Sequence, residues 1–262
     1  MTGNAKKELS EVVALFHQYL EQEKEKGTKS VKYSPSRVPV PGIAPAPHQG
    51  QGKGALLRKL EDEIKDCRKC GLHSSRISVV FGQGNPDARL MFVGEGPGYD
   101  EDRQGSPFVG KAGQLLTKMI EAMKMKREEV YIANIVKCHP MKNPSHPEMR
   151  GNDRAPEYDE IQACLPVLMK QIEVIKPQVI CTLGSPATKT LLGISGDKSY
   201  DGSSITRVRG QFFNFKGSRL IPTFHPAFLL RYPEKKKEAW EDMKKIMSEL
   251  KIKLKGEING KS

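Results

Sequence analysis

The chain has 262 residues, 37% of them hydrophobic, and a formal net charge of +12, which suffices for one sizeable packed domain with an appendage. It contains no apolar run of roughly eighteen residues, and the opening MTGNAKKELSEVV lacks an apolar core ahead of a small-residue cleavage site, so neither a membrane span nor a secretion signal is expected. The cytoplasm is the expected location, and the basic field favours a polyanion, nucleic acid ahead of an anionic membrane.

Residues 5–26 carry Leu9, Val12, Val13, Phe16 and Leu20 at three- and four-residue spacing among Glu, Gln and Lys. This predicts an amphipathic helix within residues 1–27, whose stripe either packs on its own domain or docks a protein partner. Residues 28–54 include PSRVPVPGIAPAPHQGQGKG and are rich in Pro, Gly and Lys, the composition of a flexible basic linker. Over residues 55–252 short apolar runs alternate with helical stretches. Strands are predicted at 89–93, 130–136, 178–183 and 219–223, and helices near 113–125, 157–175, 185–193 and 234–252. The alternation defines an α/β fold, a three-layer α/β/α sandwich with a central, mainly parallel four-stranded sheet that binds ligands beyond the carboxyl ends of its strands. The last helix sets Ala239, Trp240, Met243, Ile246, Met247 and Leu250 on one side as core packing, and residues 253–262 form a basic tail expected to be disordered.

Four cysteines stand apart from a fifth. CRKC supplies Cys67 and Cys70, Cys138 follows the second strand, and Cys164 lies in a predicted helix. A CxxC pair and two distant thiolates can close a four-sulfur shell. Disulfides are disfavoured in a cytosolic chain, which leaves structural zinc, an iron–sulfur cluster or unrelated buried thiols, and spacing does not choose among them. Cys181, in QVICTLG, reads as a small hydrophobe of a strand.

Each predicted strand runs into polar residues. GEGPGYDEDRQGSPFVGKAG brings Glu95, Asp100, Glu101, Asp102 and Phe108; YIANIVKCHP brings Asn134; LGSPA opens a helix; and TFHPAFLLR brings His225, Leu229, Leu230 and Arg231. GEGPG is a poor dinucleotide fingerprint, because its third glycine is misplaced and Pro97 obstructs the helix start. FVGKAG is no phosphate loop, since Ala112 stands where Ser or Thr would hold magnesium. Taken singly, the acidic run could chelate a divalent cation, Asn134 could be a satisfied core amide, and His225 could be a helix cap.

Taken together, GEGPGYDEDRQGSPFVGKAGQLL, YIANIVKCHP, LGSPA, PTFHPAFLLR and the CxxC followed by Leu72 and Arg76 resemble the family 4 uracil-DNA glycosylases, the iron–sulfur branch of the uracil-DNA glycosylase superfamily. The resemblance runs from about residue 56 to about residue 250. The segment between Cys138 and Cys164 is longer than the family's usual connection, with extra residues around 145–154.

That resemblance implies a repair enzyme that flips uracil from single- or double-stranded DNA and hydrolyses its glycosidic bond. It implies that Phe108 stacks on the base, Asn134 reads its edge, and Glu101 crowds the C5 position against thymine's methyl. It also implies that His225, with the backbone amides of Glu95 and Gly96, meets charge developing on uracil O2. The water-activating group is open: Gly96 lies near the point where other branches carry Asp or Asn, and Glu95 is close by. No KRRIH-like insertion follows GEGPG, which separates this chain from relatives that trap the sugar covalently. Leu229 and Leu230 would wedge into the vacated stack, with Arg231 on phosphate. Cys67, Cys70, Cys138 and Cys164 would hold one 4Fe-4S cluster of structural role. No nucleotide cofactor, magnesium requirement or membrane is implied, and a monomer is expected. Two rival readings are a binder of uracil-containing DNA that does not release the base, and a zinc-containing nucleotide hydrolase using Asp100, Glu101 and Asp102 with magnesium.

Overall fold

The computed structural model describes residues 51–252. The predicted helix of residues 1–27, the linker up to residue 50 and the tail at 253–262 lie outside the described residues. Helix α1 (Gln51–Ile64) begins four residues inside the stretch assigned to the linker, so residues 51–54 belong to the folded domain. Its Leu57, Leu60 and Ile64 recur at helical spacing and are buried, which outweighs the glycines at positions 52 and 54.

The remaining elements follow in order: β1 (Gln83–Gly84), β2 (Leu90–Gly94), α2 (Tyr99–Gln104), α3 (Lys111–Ala122), β3 (Tyr131–Asn134), α4 (Tyr158–Ile175), β4 (Val179–Leu183), α5 (Ser185–Gly193), α6 (Ile205–Val208), β5 (Phe213–Phe215), β6 (Ser218–Thr223), α7 (Pro226–Arg231) and α8 (Lys236–Glu249). The sheet order is β1-β3-β2-β4-β6-β5. The four predicted strands are its parallel centre. Two short strands, β1 and β5, add antiparallel edges to make six. These edges escaped the sequence reading because two or three residues are too few for a period to show.

The three layers follow from side-chain alternation. Met91 and Val93 of β2 face a core with Leu57, Leu60, Leu168, Ile172 and Leu191 from α1, α4 and α5. Leu90 and Phe92 face the other way, into a core with Leu116 and Ile120 of α3 and Met243 and Ile246 of α8. Every residue of β2 is therefore buried, as expected of a parallel strand covered on both faces. Among the described residues no helix is long and apolar enough to cross a membrane.

The carboxyl ends of β2, β3, β4 and β6 carry GEGPG, IVKCHP, GSPA and FHPAF, so the four motifs share one edge of the sheet. Strand β3 stops at Asn134, shorter than predicted, and the chain then follows the loop after β2: Ile135 and Val136 donate their N–H groups to the carbonyls of Gly94 and Glu95 at 3.0 and 3.2 Å. A surface hollow lined by Gln178, Phe212 and Lys245 lies at the opposite edge, beside the start of β4, away from all four motifs.

Candidate active site

The pocket is built on Gly94, the last residue of β2. It pairs with Asn134 across the parallel ladder. A Cβ at Gly94 would collide with Asn134 Oδ1 and stand 2.5 Å from Phe108 Cζ, so bare backbone here lets an amide and an aromatic ring close over the same spot. Phe108 itself has φ 53°, a left-handed conformation costly for a bulky residue. Helix α3 comes so near its backbone that a Cβ at Gly113 would overlap the Phe108 carbonyl. Asn134 is 1% exposed, and its Oδ1 has no hydrogen-bond partner among the described residues. A buried acceptor left empty costs about 1–3 kcal/mol, which a ligand N–H would recover.

His225 closes the pocket from the end of β6. Its ring centroid lies 5.7 Å from that of Phe108, with the planes 35° apart. As N-cap of α7 its Nδ1 accepts the Ala227 N–H at 3.1 Å, which assigns the ring proton to Nε2. Burial, aided by the Arg231 charge, lowers its pKa to about 4. The side chain at neutral pH is thus an uncharged imidazole with one N–H to offer.

The acidic residues are dispersed. Burial raises the Glu95 carboxyl above the usual range. Glu101 does not project freely toward a base: its Oε1 accepts the N–H groups of Val109 and Gly110 at 2.9 and 3.0 Å, and its Oε2 that of Gly98 at 3.2 Å. It clamps the glycine loop to the loop carrying Phe108. Asp102 is buried and accepts from the backbone of Ile77 and Ser78, while Asp100 pairs with Arg150 at 3.1 Å. Among the described residues no group of three or more His, Cys, Asp or Glu converges on a single ion.

Cys67, Cys70, Cys138 and Cys164 line one cavity together with Arg76 and Lys137. The Lys137 N–H donates to Cys164 Sγ at 3.2 Å, and Arg76 Nη1 reaches Cys138 Sγ at 3.6 Å and the Cys67 carbonyl at 2.6 Å. Burial pushes the Cys138 thiol up to about 12 against the pull of Arg76, and raises Cys164 against the pull of Lys137. Such thiols give up their protons to a metal centre more readily than to water. Four sulfurs spread round a cavity, with N–H donors already aimed at two of them, fit a polynuclear group. Cys181 is buried in β4 within the apolar core on the other side of the sheet.

Helix α7 separates the two leucines. Leu229 is 1% exposed and packs with Phe224 and Ala239, so it cannot enter a base stack without unmaking that core. Leu230 is 42% exposed, and Arg231 beside it is exposed as well. The extra residues after Cys138 fold back as a closed loop: Asn152 Nδ2 donates to the carbonyls of Asn143 and His146, and Asp153 meets buried His139 at 2.7 Å. Arg103 and Arg150 each stand over the Tyr99 ring, at 3.6 and 4.4 Å from its centroid, and the Arg150 contact ties this loop to α2. Sequence reasoning passed over Lys137 and Gln171, whose side chains bond each other in the interior at 2.7 Å. The signal was a lysine inside the apolar stretch ANIVKC.

Residues 81–244 match the sequence model of the Uracil DNA glycosylase superfamily, the class that this sheet edge and pocket define. The chain is 45% identical over 195 residues to a type-4 uracil-DNA glycosylase of Sulfurisphaera tokodaii, covering 72% of this chain and 83% of the relative. It is 43% identical to the type-4 uracil-DNA glycosylases of Thermotoga maritima and Saccharolobus solfataricus, over 75% of this chain and 95% and 88% of theirs. The chain belongs to the type-4 uracil-DNA glycosylases.

Proposed function

We propose that this chain is a DNA repair hydrolase that breaks the N-glycosidic bond of uracil in DNA, releasing free uracil and leaving an abasic site. The observation that carries this reading is Asn134, whose buried Oδ1 lacks a donor while sharing the Gly94 cradle with Phe108. A uracil seated there stacks on Phe108, gives its N3–H to Asn134 Oδ1 and receives the Asn134 amide at O4. Cytosine offers an acceptor and a donor in the opposite order, so two groups are left unpaired in a dry site.

Bond cleavage moves the C1′–N1 electron pair onto uracil, with charge gathering at O2, while a water oxygen bonds to C1′ and loses a proton; a proton taken up by the departing uracil anion completes the hydrolysis. The Nε2–H of neutral His225 and the amides of Glu95 and Gly96 are the donors for that charge, which exists mainly in the transition state. Glu95, its carboxyl made more basic by burial, is the candidate to orient the water. Leu230, in place of the buried Leu229, fills the vacated stack, and Arg231 holds a phosphate. The four cavity cysteines hold one 4Fe-4S cluster, which when bound supplies a rigid four-thiolate crosslink between α4, the CxxC loop and the segment after β3. Base hydrolysis itself transfers no electron. The protein acts as a monomer without a nucleotide cofactor or magnesium.

Incubating the protein with a uracil-containing oligonucleotide is expected to yield free uracil and an alkali-labile abasic site, undiminished by EDTA. Retention of the oligonucleotide without uracil release would favour the binder that leaves the base in place; loss of activity in EDTA restored by magnesium would favour the hydrolase built on Asp100, Glu101 and Asp102. Deletion of residues 1–50, which spares α1, is expected to preserve release from short oligonucleotides. It should also flatten the salt dependence of binding to long duplexes, by roughly 0.9 for each phosphate that the shortened chain no longer neutralises. An unchanged slope with a large fall in melting temperature would make the extension a structural brace.

A further inference from the structure

We infer that Lys137 is a positioning residue that ties the cysteine cavity to Asn134, one ammonium serving both as counter-charge to the four thiolates and as anchor of the amide that reads the base. This rests on the reading of pocket and cavity proposed above. Lys137 is 1% exposed. A buried ammonium persists only where acceptors and opposite charge surround it. Its Nζ donates to the backbone carbonyl of Asn134 at 2.8 Å and to Gln171 Oε1 at 2.7 Å. Gln171 is itself held from α4, its Nε2 donating to the Phe81 carbonyl at 3.0 Å and the Tyr131 hydroxyl at 3.3 Å.

The anionic partners of the ammonium are in the cavity. Lys137 lines it beside all four cysteines, and its backbone N–H donates to Cys164 Sγ at 3.2 Å. Lys137 stands three positions after Asn134, and Cys138 follows directly, so a single turn of chain after β3 carries the base reader, the cation and a ligand thiol. A cluster held by the four cysteines would set four thiolates beside this ammonium. Filling the cavity thereby strengthens the hold on the Asn134 backbone.

The test uses the full chain, purified without oxygen, with two readouts. One is the rate at which a chelator bleaches the brown absorbance. The other is the ratio of affinities for oligonucleotides carrying a non-hydrolysable 2′-fluorinated deoxyuridine or the equally fluorinated deoxycytidine, whose edge presents the inverted donor and acceptor. In Lys137→Met, bleaching is expected to quicken and the ratio to fall, each by about tenfold, the scale of removing one charged hydrogen bond. Arg76→Met, which removes the donor to Cys138 but touches nothing at Asn134, is expected to quicken bleaching alone, and Asn134→Ala to lose the ratio alone. A folded Lys137→Met that moves only one readout, or neither, overturns the proposal. If it does not fold, Gln171→Leu, which leaves one ammonium N–H unpaired, is judged on the same two readouts. Wild-type protein without iron, or Asn134→Ala with the wild-type ratio, would instead refute the underlying reading and this inference with it.

Discussion

His225→Ala is expected to lower the single-turnover rate of uracil release by about 10²–10³, the usual effect of removing one donor from a developing oxyanion, while affinity for uracil-containing DNA changes little. The ring holds its Nδ1 against the Ala227 N–H and stands against Phe108, so Nε2–H is the one ring donor left for the base in the proposed reaction. Its pKa, lowered to about 4 by burial and then by Arg231, sets the pH behaviour. The neutral donor persists from alkaline pH down through the ordinary imidazole range near 6.5, so ring ¹⁵N shifts should report the Nε2–H tautomer at pH 6. The unfolded chain binds a proton here below about 6.5 and the folded chain only near 4; the stability from this group is therefore complete above the first value and lost as pH falls through the second. A mutant that cleaves at the wild-type single-turnover rate would remove His225 from the chemistry.

Cys67→Ala or Cys138→Ala is expected to abolish the brown chromophore and to lower the melting midpoint by about 10 °C or more, since the loss of a structural metal centre removes several kcal/mol and a domain of this size moves by about 2–4 °C per kcal/mol. The two cysteines come from the CxxC loop and the segment after β3, which meet around this cavity. Cys181→Ala, in the opposite core, should keep the chromophore. Elemental analysis giving stoichiometric zinc and no iron in anaerobically purified protein would refute the cluster assignment.

Both experiments probe groups that were legible as residue types before any geometry was known. His225 and Asn134 were visible because each polar residue interrupts an apolar run at a strand end, where an α/β sheet keeps its ligands. The difference between Leu229 and Leu230 was not visible. Adjacent positions on a short helix point about 100° apart, and which one is buried depends on where Phe224 and Ala239 lie. The clamp made by Glu101 was hidden for a related reason: its three acceptor contacts come from backbone N–H groups 3 to 9 residues away that only the folded loop assembles.

The local periods of the chain by themselves determined the four central strands, the helices that cover them and the edge of the sheet that carries the motifs, because alternation and helical spacing are short-range properties of the chain. Tertiary structure alone decided that bare backbone at Gly94 lets Phe108 and Asn134 share one spot, that Asn134 Oδ1 is left without a donor among the described residues, and that Lys137 lies sealed between Asn134 and the thiols. Those facts depend on contacts between residues up to 90 positions apart, such as Gln171 with Phe81. Burial and hydrogen-bond satisfaction are properties of the packed assembly, and no local pattern of residues encodes them.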